Sequence, residues 1–248
     1  MALSYNARIT IDGDLSIAKA VAPQVPKKYK LNIPAPWDPI RYEHVVFKLL
    51  ETVDKSDVGG VVFANLARQL MIRPYIWSPD NAFTVAASVV AATKEGSAVA
   101  CDAPGSTVVG TGSGSDVTIW IKPANRLVPD ATLLHEIVHA LRMMLGRRTC
   151  IEAALDDFDR DEEYYAILIA NIFMSEKKRR LIRISHKPAA KSWVDVTSPW
   201  DQFRIDPFLI TNFEIEHATL ASDIGRKSKA AFNPFNPRFR DKLEVGAN

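Results

Sequence analysis

Cysteine is nearly absent from this chain. Only Cys101 and Cys150 occur in 248 residues, which excludes a disulfide framework and leaves at most one bridge between two residues that more often serve as small buried groups. Long apolar runs are missing too. No stretch reaches the length of a membrane-spanning helix, and the opening MALSYNARITIDGD has neither the basic start nor the continuous apolar segment of a secretory signal. The chain is therefore expected to be made in the cytoplasm as a soluble protein, with no membrane span. An excess of one charge is lacking as well: 31 basic against 29 acidic residues leave a formal charge of +2, too even to select a nucleic acid or an anionic membrane as partner. No internal repeat or low-complexity tract is visible. What is present is ordinary globular composition, 47% hydrophobic and 24% charged, on a chain long enough for a sizeable core.

Proline punctuates the first forty residues at Pro23, Pro26, Pro34, Pro36 and Pro39, which disfavours helix and predicts an extended arm over 1–40 ahead of one domain over 41–248. Val45, Val46, Leu49, Leu50 and Val53 recur at helical spacing within Tyr42 to Val53, and Asp57 to Leu70 reads as a second amphipathic helix despite Gly59 and Gly60. MIRPYIW alternates like a strand, AFTVAASVVAAT fits strand or helix, and SAVACDA is a weak strand signal. The glycine and serine run Gly110 to Gly114 predicts a hairpin turn, because it leads into a strand and lacks the lysine of a phosphate loop. In that strand, DVTIWIKP, Val117, Ile119 and Ile121 share one face and Thr118, Trp120 and Lys122 the other, the pattern of a half-exposed strand stopped by Pro123. A helix is predicted over about 130–145, another over about 161–180 with a basic end, and further helix between Pro207 and Ala231.

The chemistry concentrates in His135-Glu136-Ile137-Val138-His139. Residues four apart lie on one helix face and can present two imidazoles to one tetrahedral zinc ion, while Glu136 can take a proton from water at the metal and pass it to a leaving amine. Two histidines and a glutamate among Leu133, Leu134, Ile137, Val138, Ala140 and Leu141 are costly to bury without such a purpose. A zinc site needs a third protein ligand and an open position. No further histidine follows at short spacing in ALRMMLGRR, so the candidates are Glu162 and Glu163 in the first turn of the next helix. Neighbours on a helix point about 100° apart, so only one can face the metal while the other faces solvent or its own first turn. Ala166, three residues beyond Glu163, leaves room for the first helix where Tyr165 crowds the same offset from Glu162.

HEIVH followed by EEYYA resembles the gluzincin arrangement of zinc metallopeptidases, in which a glutamate in a Glu-aromatic-aromatic-Ala setting completes the metal site; Glu163-Tyr164-Tyr165-Ala166 matches it. The segments GTGSGSDVTIWIKP, PDATLLHEIVHALRMM, DEEYYAILIANIFMSEKKRRLIRISHKP and AAFNPFNP together resemble the zinc metallopeptidase effector domains that bacteria deliver through secretion systems, including type VI spike-associated and type III effectors. This resemblance implies an α+β zincin-like fold with a small mixed sheet, an HExxH active-site helix and a helical C-terminal part. It implies one Zn2+ held by His135, His139 and Glu163, with Glu136 as general base. It also implies an endopeptidase acting on a protein of a target cell, with secretion-apparatus components and a cognate immunity protein as partners.

Such domains commonly carry paired histidines after the third-ligand helix. Here the segment reads Ser185-His186, which leaves His186 as the candidate for oxyanion stabilisation or substrate contact; Tyr164 and Tyr165 are further candidate donors. An edge strand above the active helix binds peptide by main-chain pairing in zincins, which assigns Thr118 and Trp120 to substrate binding. Two alternatives stay open on the residues alone: a zinc amidase acting on cell-wall peptide, and a non-enzymatic binding module using the cluster Lys177, Lys178, Arg179, Arg180 and Arg183.

Overall fold

The structure is a computed structural model, and it describes residues 2–16, 29–31, 37–75, 77–79, 87–91, 114–122, 128–149, 155–186 and 193–239. Strands β1 (Leu3–Ser4), β2 (Ile9–Ile11), β4 (Leu70–Pro74), β6 (Ala87–Ala91) and β7 (Val117–Ile121) form a mixed sheet in the order β1-β2-β4-β7-β6. The central β2, β4 and β7 run parallel, with β1 and β6 antiparallel at the two ends. Small ribbons pair β3 (Tyr29–Leu31) with β5 (Trp77–Pro79), and β8 (Leu181–Arg183) with β9 (Trp193–Asp195). The helices are α1 (Pro39–Asp54), α2 (Asp57–Ala64), α3 (Pro129–Met144), α4 (Asp161–Glu176), α5 (Pro207–Glu216) and α6 (Ala218–Lys227). The α+β class and small mixed sheet agree with the sequence reading.

Local chemistry accounts for the element boundaries. Asp38 caps α1 by accepting from Arg41 N, and Pro39 sits in the first turn, where its missing N–H costs nothing. Ser56 caps α2 by accepting from Gly59 N, and Gly59 is tolerated because any Cβ there would run into the Val53 carbonyl of α1. The second helix stops at Ala64 rather than Leu70, because Leu70 begins β4 and pairs with Ile9 on one side and Val117 on the other. The first residues are likewise drawn into the sheet: Ile9 and Ile11, both fully buried, place β2 beside β4, so residues 3–11 belong to the domain's sheet rather than to an arm around it.

One face of the sheet carries Ile9, Ile11, Ile72, Val117, Ile119 and Ile121 into a single core with α1, α2 and α3. Helix α4 lies beyond α3 and is buried without interruption from Tyr164 to Met174, so it lacks the polar stripe of a surface helix. Its basic end is solvated at Lys178 and Arg180, with Arg179 drawn inward. Arg179 makes a two-pronged ion pair with Asp130 at the start of α3 (2.7 and 2.6 Å), tying the two helices together, while Arg180 pairs with Asp195 at the surface. Strand β7 corrects the expectation of an exposed edge: it is hydrogen-bonded to β4 and β6 and lies inside the sheet. The weak strand SAVACDA, most of the Gly110 to Gly114 turn, and both cysteines lie outside the described residues.

Gly114 leads into β7 with φ +61°, and a Cβ there would collide with the Met144 carbonyl at the end of α3. Gly114→Ala is therefore expected to destabilise the fold by about 1–3 kcal/mol. Denaturant unfolding measures it, and an unchanged midpoint contradicts the packing described.

Candidate metal centre

Helix α3 is buried at every residue from Asp130 to Met144 except Glu136. His135 and His139, one turn apart, bring their Nε2 atoms to 3.1 Å. Glu163, in the first turn of α4, places Oε2 3.2 Å from His135 Nε2 and 3.4 Å from His139 Nε2. His186 joins from the segment after β8, with Nε2 3.2 Å from the same oxygen. It is carried there by hydrogen bonds from His186 N and Ser185 Oγ to the Asp157 carbonyl, and its Nδ1 lies 2.7 Å from Asp159 Oδ2. Ligand atoms of His135, Glu163 and His186 lie within 4.8 Å of one another. His186 is the most exposed of the four side chains, at 31% against 5%, 9% and 19% for His135, His139 and Glu163, so it borders the open side of the cluster.

Glu162 faces neither solvent nor its own first turn, the two places expected for the neighbour of a ligand. It is 2% exposed and turns to the other side of His139, with Oε1 3.1 Å from Nδ1. Its Oε2 accepts from Arg142 Nε (2.8 Å) and Thr149 N (3.3 Å). A carboxylate on Nδ1 settles which nitrogen of His139 turns toward Glu163, the arrangement by which metal-binding imidazoles are usually oriented.

These contacts fit a zinc ion. Tetrahedral zinc with bonds of about 2.0–2.1 Å separates its ligand atoms by about 3.3–3.4 Å. The triangle of His135, His139 and Glu163 has edges of 3.1, 3.2 and 3.4 Å. Glu163 Oε2 is buried among these nitrogens without a hydrogen bond of acceptable geometry, an orphaned acceptor that a cation would satisfy. Burial pushes His135 down to about 3, and the neighbouring His139 adds to the effect. Burial acts the same way on His139, but Glu163 and Glu162 outweigh it and hold that ring up at about 10. Burial alone would raise both glutamates; Arg142 and His139 instead bring Glu162 down to about 2, and His139 and His135 hold Glu163 well below the usual carboxylate range. The metal-free cluster therefore keeps a proton on His139. Its contribution to stability is complete below the ordinary value of 6.5 and is lost as pH rises through about 10.

Other predicted residues lie elsewhere. Alternation along β7 turns Val117, Ile119 and Ile121 into the core that α3 covers, so Thr118 and Trp120 project from the opposite face of the sheet, away from the cluster. Trp120 is 8% exposed with the Arg73 guanidinium 5.9 Å from its ring, and its place is packing rather than an exposed subsite. Tyr164 accepts from Asp206 N and packs on Phe158 and Phe203, while Tyr165 lies under the Arg142 guanidinium at 4.6 Å; both are buried in the fold. Sequence reading missed Asp159, Arg142 and His217. Arg142 carried a signal, a charge one turn past His139 in an apolar helix, whereas His217 is isolated in sequence and meets Arg142 only through tertiary packing. Burial, and then Arg142, push His217 down to about 3, so the ring stays neutral and its Nε2 can accept from Arg142 Nη1 at 2.6 Å.

A scan against models of known protein families finds no match, and a search of curated proteins finds none either.

Zinc titrated into metal-free protein near pH 7 is expected to release about one proton, because His139 must lose the proton it holds up to about pH 10, and affinity should fall as pH is lowered. Calorimetry in buffers of differing ionisation enthalpy counts the proton; none released contradicts the charge state described. Glu163→Ala should weaken zinc binding by more than about 100-fold.

Proposed function

We propose that this chain is a zinc-dependent peptidase of the zincin type, with the metal held by His135, His139 and Glu163. The observation that carries the reading is the buried Glu163 Oε2, orphaned among ring nitrogens whose spacing is that of zinc ligands. Zinc bound there supplies Lewis acidity toward a scissile carbonyl and toward water.

The protein groups divide the remaining work. Glu136 follows the first ligand and is the one accessible residue of its helix from Asp130 to Met144, which suits a base that takes a proton from water and returns it to the leaving amine. His186 stands on the open side of the cluster, its ring oriented by Asp159 at Nδ1 and its Nε2 turned toward Glu163, a placement suited to contact with a developing oxyanion. Thr118 and Trp120 are replaced as peptide contacts by β6: among the described residues it pairs only with β7, and it packs beside α3, so its outer edge is the one suited to main-chain pairing with a peptide. Delivery into a target cell and a protein substrate there rest on the likeness of the four sequence segments to effector domains. No helix among the described residues is long and apolar enough to cross a membrane.

Glu136→Gln keeps both imidazoles and removes the proton acceptor. Hydrolysis of a protein substrate is expected to fall by about 10²–10⁴-fold with zinc content unchanged. A variant as active as the parent refutes the role of Glu136, and hydrolysis of murein but not protein moves the substrate class to cell-wall peptide.

A further inference from the structure

We propose that Arg142 is a positioning residue that couples His139 to the corner between α5 and α6, so that zinc affinity and the docking of these C-terminal helices are set together. The inference rests on the zinc reading above and extends it to residues outside the metal-binding set. Arg142 lies three residues after His139 and is fully buried. Its Nε donates to Glu162 Oε2 at 2.8 Å. Nη1 donates to Glu216 Oε2 at 2.8 Å and to His217 Nε2 at 2.6 Å, and Nη2 to the Arg147 carbonyl at 2.8 Å. The guanidinium face lies over Tyr165.

A buried cation is expensive even when paired, and an apolar residue would fill this place in an apolar helix at less cost. What an apolar residue cannot do is hold Glu162. The two oxygens of that carboxylate are divided between His139 on one side and Arg142 with Thr149 N on the other, so the arginine determines where the acceptor facing His139 stands. At its far end Arg142 grips the last residue of α5, Glu216, and the residue that joins α5 to α6, His217. The path from the metal ligand to the C-terminal helices is thus five charged or polar side chains in direct contact: His139, Glu162, Arg142, then Glu216 with His217. Coupling of this kind is reciprocal: if the docked corner orients His139 for zinc, zinc favours the docked corner by the same factor. Arg179 provides a contrast, since its ion pair with Asp130 joins α3 to the end of α4 without touching this path.

The test uses the full chain, with zinc affinity measured by chelator competition and amide hydrogen exchange followed over Pro207 to Lys227 with and without zinc. Arg142→Lys and the milder Glu216→Gln are each expected to weaken zinc affinity, by up to about 10–100-fold for the first. Zinc should slow exchange across α5 and α6 in the parent and much less in either variant. Arg179→Ala should lower thermal stability while leaving zinc affinity unchanged. If Arg142→Lys does not fold, Glu216→Gln carries the test alone. Variants that bind zinc like the parent, or exchange in α5 and α6 that ignores zinc, overturn the coupling and leave the peptidase reading standing. A parent protein that binds no zinc overturns both.

Discussion

Glu163 Oε2 lies within 3.4 Å of ring nitrogens from three histidines, at the contact of two largely apolar helices. Everything around it is arranged to make that burial tolerable. Glu162 and Arg142 orient one histidine, Asp159 meets another, and Arg179 with Asp130 ties the helices at their opposite ends. Burying a carboxylate and imidazoles in a core costs far more than burying leucines unless their charges are matched. Glu163 Oε2 has no hydrogen bond in this arrangement, and the proposed metal would give it a partner.

The sheet serves this arrangement from behind. Its core face seats α3, and the pairing of β7 with both β4 and β6 holds the strand that leads toward that helix. The α5–α6 corner closes over Arg142, with Phe213 packed on Tyr165. The cluster lies between α3, the first turn of α4 and the segment after β8, and the partly exposed Glu136 and His186 are the two with proposed roles in the chemistry.

Much of this was legible in the residues, and the reasons for the rest are specific. Helices α1, α3 and α4 were readable because runs of apolar residues are local, and HEIVH because four-residue spacing fixes a helix face. The Glu-Tyr-Tyr-Ala resemblance and the room left by Ala166 pointed to Glu163, which lies among the Nε2 atoms of three histidines, but nothing local marked Glu162 as the partner of His139 Nδ1, because its Arg142 contact comes from another helix. β7 looked half exposed because alternation reports on one strand, whereas its burial comes from β4 and β6, distant in sequence. Ile9 and Ile11 were overlooked as strand residues because nearby prolines dominated the reading of the first forty positions. His217 offered no signal at all, since its role arises only where α5 ends against Arg142.

The central claim is that one zinc ion is held by His135, His139 and Glu163. Anomalous diffraction at the zinc edge, on crystals of protein that has been loaded with zinc and freed of excess metal, tests it most directly. The account predicts one peak about 2.0–2.2 Å from His135 Nε2, His139 Nε2 and Glu163 Oε2, with Glu162 still on His139 Nδ1. Zinc found elsewhere, coordinated by Glu162, or absent from the loaded protein would contradict it.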